Sequence, residues 1–266
     1  AVDRFKADGS GSQEFTYSQS TTVPSGQGFS YSAKLDVTTA DTSVAAAEFQ
    51  VFRYIFEGQD LQHLKYGTSD AESLTLQFWV RSPKTGTHIV ELEHIDASYQ
   101  NSQSYTITTA DTWQKVTLTF DGYQTTSITN DNTEGFQINW WLMAGSNFTS
   151  GTLSSNTWQN TTANRAVGQV NVADSTSNDW YITGVQLEVG SQATPFEHRS
   201  FGEEFSLCSR YYEVAEAYAN SYHYNDSTSS NDREDITATY KVEKRATPTL
   251  TVTNQSSGSL SNLSNT

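Results

Sequence analysis

The chain has 266 residues, with 30 acidic against 15 basic side chains and a formal net charge of −15. A chain this acidic is repelled by nucleic acid and by anionic membrane surfaces, and no apolar run reaches membrane-spanning length. One cysteine, Cys208, excludes an internal disulfide and a cysteine-built zinc site, while 12% aromatic and only 17% charged residues favour β-structure with polar loops.

Residues 1–28 are polar and rich in Gly and Ser, with Phe15 and Tyr17 alternating with polar neighbours. The start, Ala1-Val2-Asp3, reads as a fragment or a processed product. Pro24 to Gly28 is turn material. A strand follows in which Phe29, Tyr31, Ala33, Leu35 and Val37 face one way. Residues 48–57 form a second strand, apolar on nearly both faces and therefore central. Residues 58–67 make a loop or short helical turn carrying Leu61 and Leu64. In 73–81, Leu74, Leu76, Phe78 and Val80 point inward, and Thr75, Gln77, Trp79 and Arg81 outward. A turn at Pro83 to Gly86 leads into a returning strand, 87–94. Strands at 103–108, 114–120 and 134–143 follow, the last with Phe136, Ile138, Trp140 and Leu142 on one face and Gln137, Asn139, Trp141 and Met143 on the other. A long polar loop, 145–178, holds Trp158 and a short helical piece at 162–167. Residues 180–189 are the closing strand, stopped by Gly190 and by Pro195, which removes a backbone donor.

After that the period changes. Phe201, Phe205, Cys208 and Tyr212 fall at the spacing of one helix face, and Cys208 is expected to be buried and inert. Strands at 209–218, 235–242 and 248–253 follow. The pattern predicts an all-β fold: an antiparallel β-sandwich of the jelly-roll kind in residues 1–200, then a short helix and a smaller C-terminal β region in 201–266.

Metal and catalytic patterns are sparse. His63, His88, His94, His198 and His223 form no metal-binding motif, and His88 and His94 read as surface or edge residues. Glu91 and Glu93 share one strand face, as a glycosidase pair could, yet alternation makes that face a solvated one. Glu203 and Glu204 complement a helix dipole. Asp131, Asn132 and Glu134 could hold a structural calcium, but the run lacks the full calcium-loop pattern. The expectation is a non-enzyme with no cofactor. The favoured ligand surface is the polar face carrying Trp79 and Trp141, with Gln77, Arg81, Asn139, Gln186 and Glu188 as neighbours. Indole faces stack on sugar rings, and amides and carboxylates bond the hydroxyls.

Several runs carry a family resemblance: ITGVQLEVGSQATPFEHRSFGEEFSLCSRYY, KRATPTLTV, LTLQFWVRSPKTGTHIVEL, ADTWQKVTLTFDG, DNTEGFQINWWLMAGSNFTSGTL and TTANRAVGQVNVADSTSNDWYITG. Together they resemble bacteriophage virion proteins, especially tail fibre and tail-tip proteins of marine podoviruses, over residues 1–255. The module is also similar to jelly-roll carbohydrate-binding modules. The resemblance implies a virion surface location, other virion proteins and a host-surface glycan as partners, and a homotrimeric state; the lack of a membrane-spanning apolar run is what predicts no membrane insertion. Capsid decoration, or a carbohydrate-binding module of a larger depolymerase, is the alternative.

Overall fold

The computed structural model describes residues 5–214, 218–222, 233–237 and 239–249. The chain divides into two compact units, Ala1–Glu197 and His198–Thr266.

In the first unit the elements run β1 (Phe5–Ser10), β2 (Glu14–Ser20), β3 (Ser32–Thr39), β4 (Phe49–Glu57), a 3-10 turn (Gly58–Leu64), β5 (Leu74–Arg81), β6 (Gly86–His94), β7 (Tyr99–Ile107), β8 (Gln114–Phe120), β9 (Glu134–Ala144), α1 (Ser146–Thr149), β10 (Trp158–Gln159) and β11 (Asp179–Val189). They form two sheets, of order β1-β4-β9-β6-β7-β10 and β2-β3-β11-β5-β8. Every pairing in both is antiparallel. The chain keeps changing sheet as it advances, so the predicted all-β jelly-roll sandwich is the observed fold. Its core lies between the sheets. Leu35, Leu76, Phe78 and Val80 of the five-stranded sheet meet Phe52, Leu92, Ile138 and Trp140 of the six-stranded one, all essentially buried. Trp140 and Phe78 pack edge to face with centroids 5.7 Å apart. Each such side chain contributes about 1.5–3 kcal/mol of burial.

Strand alternation located β4, β5, β6, β8, β9 and β11 to within a residue or two. It missed β1, whose FKADGS has little apolar signal, and left β2 as unassigned polar sequence. β3 starts at Ser32, three residues after the expected point, and Tyr31 is exposed. Phe29 instead lies over Gly184, where an added Cβ would come within 2.5 Å of its ring. Gly184 has φ +59° and sits in a β-bulge between Thr183 and Gln186, so two reasons require glycine there. β7 begins at Tyr99, four residues earlier than its polar start suggested.

His88 and His94 are fully buried rather than at the surface. β6 is a central strand between β9 and β7. Its inner face is core, and both imidazoles sit on that face among aromatics. His88 stacks on Tyr105 at 5.4 Å, and its Nε2 lies 3.1 Å from the Lys84 carbonyl. Burial lowers its pKa to about 4.

The second unit contains α2 (Phe201–Ser209) and an antiparallel pair, β12 (Tyr218–Tyr222) with β13 (Arg233–Thr237). Ser200 caps α2, its hydroxyl accepting from the Glu203 amide at 3.3 Å, and Glu203 and Glu204 occupy the first turn, as the dipole favours. Residues 210–214 form no strand, contrary to the expected strand at 209–218. Glu213 is instead a buried anchor, accepting from Lys244 Nζ at 2.7 Å. Residues 239–249 are also irregular, so the expected 235–242 strand shrinks to β13. Residues 250–253 of the last expected strand lie outside the described residues. The apolar helix face is a further correction. Phe201, Phe205 and Tyr212 are exposed, and Cys208 is only half-buried.

Candidate functional site

The outer face of the six-stranded sheet is built in rungs. Register aligns Lys6, Arg53, Asn139, Glu91 and Ser102 across β1, β4, β9, β6 and β7. The next rung on one side brings Val51 beside Trp141, and the rung on the other brings Ile55, Gln137, Glu93 and Gln100 together. Side chains two residues apart on a strand share a face, so polar and charged groups gather here over three strands whose other face is core.

A wall stands on this floor. The chain after β9 turns through α1 and a 3-10 turn (Thr162–Asn164), then runs beside β6. The Val170 amide donates to the Thr87 carbonyl at 3.0 Å, and the Ile89 amide donates to Gln169 Oε1 at 2.7 Å. Beneath it Val51, Ile89, Trp141 and Ala166 form a second apolar cluster, flanked by Phe49, Phe148 and Leu153. Arg165 fastens the wall. Its Nε donates to Glu91 Oε2 at 2.9 Å, and its Nη2 to Glu91 Oε1 at 2.5 Å and Glu93 Oε2 at 2.7 Å. Asn139 Nδ2 donates to both carboxylates, at 3.0 and 2.9 Å, and Ser102 Oγ to Glu91 at 3.2 Å. The Arg165 guanidinium also lies over the Trp141 ring, 5.5 Å from its centroid. Burial pushes the Glu91 carboxyl up against the pull of Arg165. Burial works to lower Arg165, but the two carboxylates outweigh it and hold the guanidinium above its ordinary value.

Between wall and open sheet lies a groove of about 250 Å³, lined by Phe49, Val51, Arg53, Glu93, Ile95, Gln137, Asn139, Trp141, Phe148 and Arg165. It mixes apolar rings with amide and charged groups, the combination of a small-molecule site. Along β9 it spans Gln137 to Trp141, about 13 Å at the strand rise. Asn139 Oδ1, Gln137 Oε1 and Arg53 Nε are buried here without a hydrogen-bond partner among the described residues. Such orphaned groups each cost about 1–3 kcal/mol unless a partner satisfies them.

The seven residues expected to share one ligand face are split between two. Asn139 and Trp141 lie on this face, in the groove. Trp79, Gln77 and Arg81 on β5 and Gln186 and Glu188 on β11 lie on the outer face of the other sheet. Alternation sets the phase of a side chain but not which of two outer faces it joins. Trp141 is outward in phase yet only 2% exposed, because Phe148 and Arg165 cover it; their ring contacts lie at 5.3 and 5.5 Å. Glu91, expected on a solvated face, is fully buried by the same wall.

On the opposite face, Gln77, Gln186 and Glu188 hold down the arm that follows β11. Gln77 Nε2 donates to the Thr194 carbonyl at 2.7 Å and to Glu188 Oε2 at 3.2 Å. The Glu197 amide donates to Gln186 Oε1 at 2.8 Å, and the Thr194 hydroxyl donates to Glu188. Phe196 closes the arm against Phe29 at 5.0 Å. Arg81 pairs with Asp111 at 2.9 Å and lies over the Tyr181 ring at 5.0 Å. Trp79 remains half-exposed beside Thr183 and Lys115.

Sequence reasoning missed Arg53, Glu93, Gln137, Phe148 and Arg165 as groove residues. One signal was available: Arg165 is the sole Lys or Arg in the long loop 145–178. A single cation in a polar loop invites a search for the carboxylates that fix it. Among the described residues no three His, Cys, Asp or Glu side chains come together to hold a metal ion.

No protein-family model matches the sequence, and no curated protein matches it. Among solved structures, bacteriophage CBA120 tailspike protein 4, enzymatically active domain, is similar at a TM-score of 0.39 and 12% identity, over 71% of this chain and 20% of that one. The chain thus spans about a fifth of the tailspike domain's length. A family 11 carbohydrate-binding module from Clostridium thermocellum is similar at a TM-score of 0.37 and 9% identity, over 72% of this chain and 90% of that module. The xylan-binding CBM22-2 domain of Paenibacillus barcinonensis Xyn10C is similar at 0.38 and 14%, over 71% and 93%. Likeness at this level carries no argument about what this chain binds.

Proposed function

We propose that the chain is a glycan-binding protein whose site is the groove on the six-stranded sheet. The observation that carries this is the groove's lining: Phe49 and Phe148 beside Arg53, Glu93, Gln137 and Asn139. Aromatic rings pack on the C–H face of a sugar. Fixed amide and charged groups then bond its hydroxyls, and they orient the ligand in a largely pre-formed cleft. The protein binds without cleaving. Glycoside hydrolysis needs two carboxyl groups flanking the bond, but Glu91 is sealed beneath Arg165 and cannot reach a substrate. The sequence resemblance supports the finer reading: a virion surface component, a tail fibre or related appendage, acting in host attachment as a homotrimer. Several weak sites presented together would then supply avidity.

A glycan array probed with the purified chain tests the reading. Binding is expected to one class of polysaccharide, and to be lost in Phe148→Ala combined with Gln137→Ala. Binding that survives both changes but is lost in Trp79→Ala would move the site to the other sheet. Reducing ends released from a bound polysaccharide would overturn the non-enzyme reading. Antibody labelling of intact particles checks the virion location.

A further inference from the structure

We propose that the groove takes an acidic sugar, one bearing a carboxylate or a sulfate ester, and that Arg53 and Arg165 select it. This rests on the glycan-binding reading above. Arg165 spends Nε and Nη2 on Glu91 and Glu93, while its Nη1 makes no hydrogen bond among the described residues. Arg53 pairs with Asp8 through Nη1 at 3.0 Å, and its Nη2 makes no hydrogen bond among the described residues. Both guanidinium groups therefore retain N–H donors at the groove that they line. Lys6, exposed and paired with Arg53 across β1 and β4, extends the positive row to the rim.

The opposing charges are partly spent. Glu91 is fully buried under Arg165, and Glu93 gives Oε2 to Arg165 and Asn139. The groove lining itself holds two guanidinium groups and one carboxylate, Glu93, while Asp8 pairs with Arg53 and Glu91 with Arg165 outside that lining. A neutral sugar needs only hydroxyl partners, which amides supply with less desolvation than cations require. Unspent guanidinium donors match the planar oxygens of a carboxylate or sulfate, and such charge-assisted bonds are roughly twice as strong as neutral ones. Asn139 and Gln137 add amide groups to the same lining.

Calorimetric titration of the full chain with three probes tests this: an oligomannuronate, a sulfated galactan oligosaccharide and neutral cellotetraose. At least one acidic probe is expected to bind about tenfold or more tightly than cellotetraose. That advantage should shrink between about 50 and 500 mM salt, as screening demands. Comparing the two acidic probes decides between carboxylate and sulfate. Arg53→Gln should abolish the preference, bringing the acidic probes down to the affinity of cellotetraose or below it. If Arg53→Gln does not fold, Arg53→Lys replaces it, since lysine keeps the charge but loses the fork. Cellotetraose bound as tightly as the acidic probes overturns the charge selection and leaves the groove reading standing. A preference unchanged in the Arg53 variant overturns the arginine assignment. Failure of every sugar, on the array as well, overturns both readings.

Discussion

Removing Glu91 is the sharpest test of how the groove wall is held. Its carboxylate accepts four hydrogen bonds, two from Arg165 and one each from Asn139 and Ser102. In Glu91→Ala the guanidinium keeps only Glu93, and two buried donors lose a partner. Breaking a buried pair by deleting one member costs about 3–5 kcal/mol, far more than a surface pair. For a unit of nearly two hundred residues, each kcal/mol lowers Tm by about 2–4 °C, so a fall of roughly 6–20 °C is expected by calorimetry. The double change Glu91→Leu with Arg165→Met should recover most of this loss, because apolar replacement removes the uncompensated charge. A Glu91→Ala loss below about 1 kcal/mol would mean that Arg165 swings to solvent at no cost, and the wall would then be held by its apolar cluster alone.

Three further outcomes follow from the fold. His88 has a folded pKa lowered by burial to about 4, so the unfolded chain takes up the proton first. Stability is therefore full above about pH 6.5 and falls toward pH 4 by up to roughly 3 kcal/mol; urea melts across that range should show the slope, and His88→Phe should flatten it. Gly184→Ala places a methyl against Phe29 at a positive φ and should cost about 1–3 kcal/mol in a thermal melt, whereas a neutral result would show that Phe29 moves freely. Gln77→Ala removes the amide that holds Thr194, so limited proteolysis should cut residues 190–197 several-fold faster, as local opening becomes easier; an unchanged cleavage rate would leave the Phe29–Phe196 contact as the restraint.

The sandwich was legible wherever polar and apolar residues alternate along a strand. SLTLQFWVR gives β5 with its inward set correct, and the same holds for β9. Alternation fails on β6, where sheet neighbours and the 145–171 wall bury both phases, so His88, Glu91 and His94 were misread as surface groups. β1 was invisible because an edge strand needs little apolar sequence to pair. The candidate site was legible only in part. Asn139 and Trp141 do lie in the groove, but the residues that make it a groove come from β4, β6 and a loop some 70 positions from Glu91 in sequence. No local period encodes that meeting; it depends on which strands lie side by side and on which loop folds back over them.

The apolar cluster around Trp141 also bears on binding kinetics. Phe148 and Ala166 anchor the loop to the sheet as a small core of its own, and the Arg165 fork pins the same segment. A ligand entering the groove meets a wall already in place and has little loop ordering to overcome, a cost that weakens many binding sites. On the glycan-binding proposal, association should then be a single fast step, and affinity differences between sugars should lie mainly in how slowly they leave.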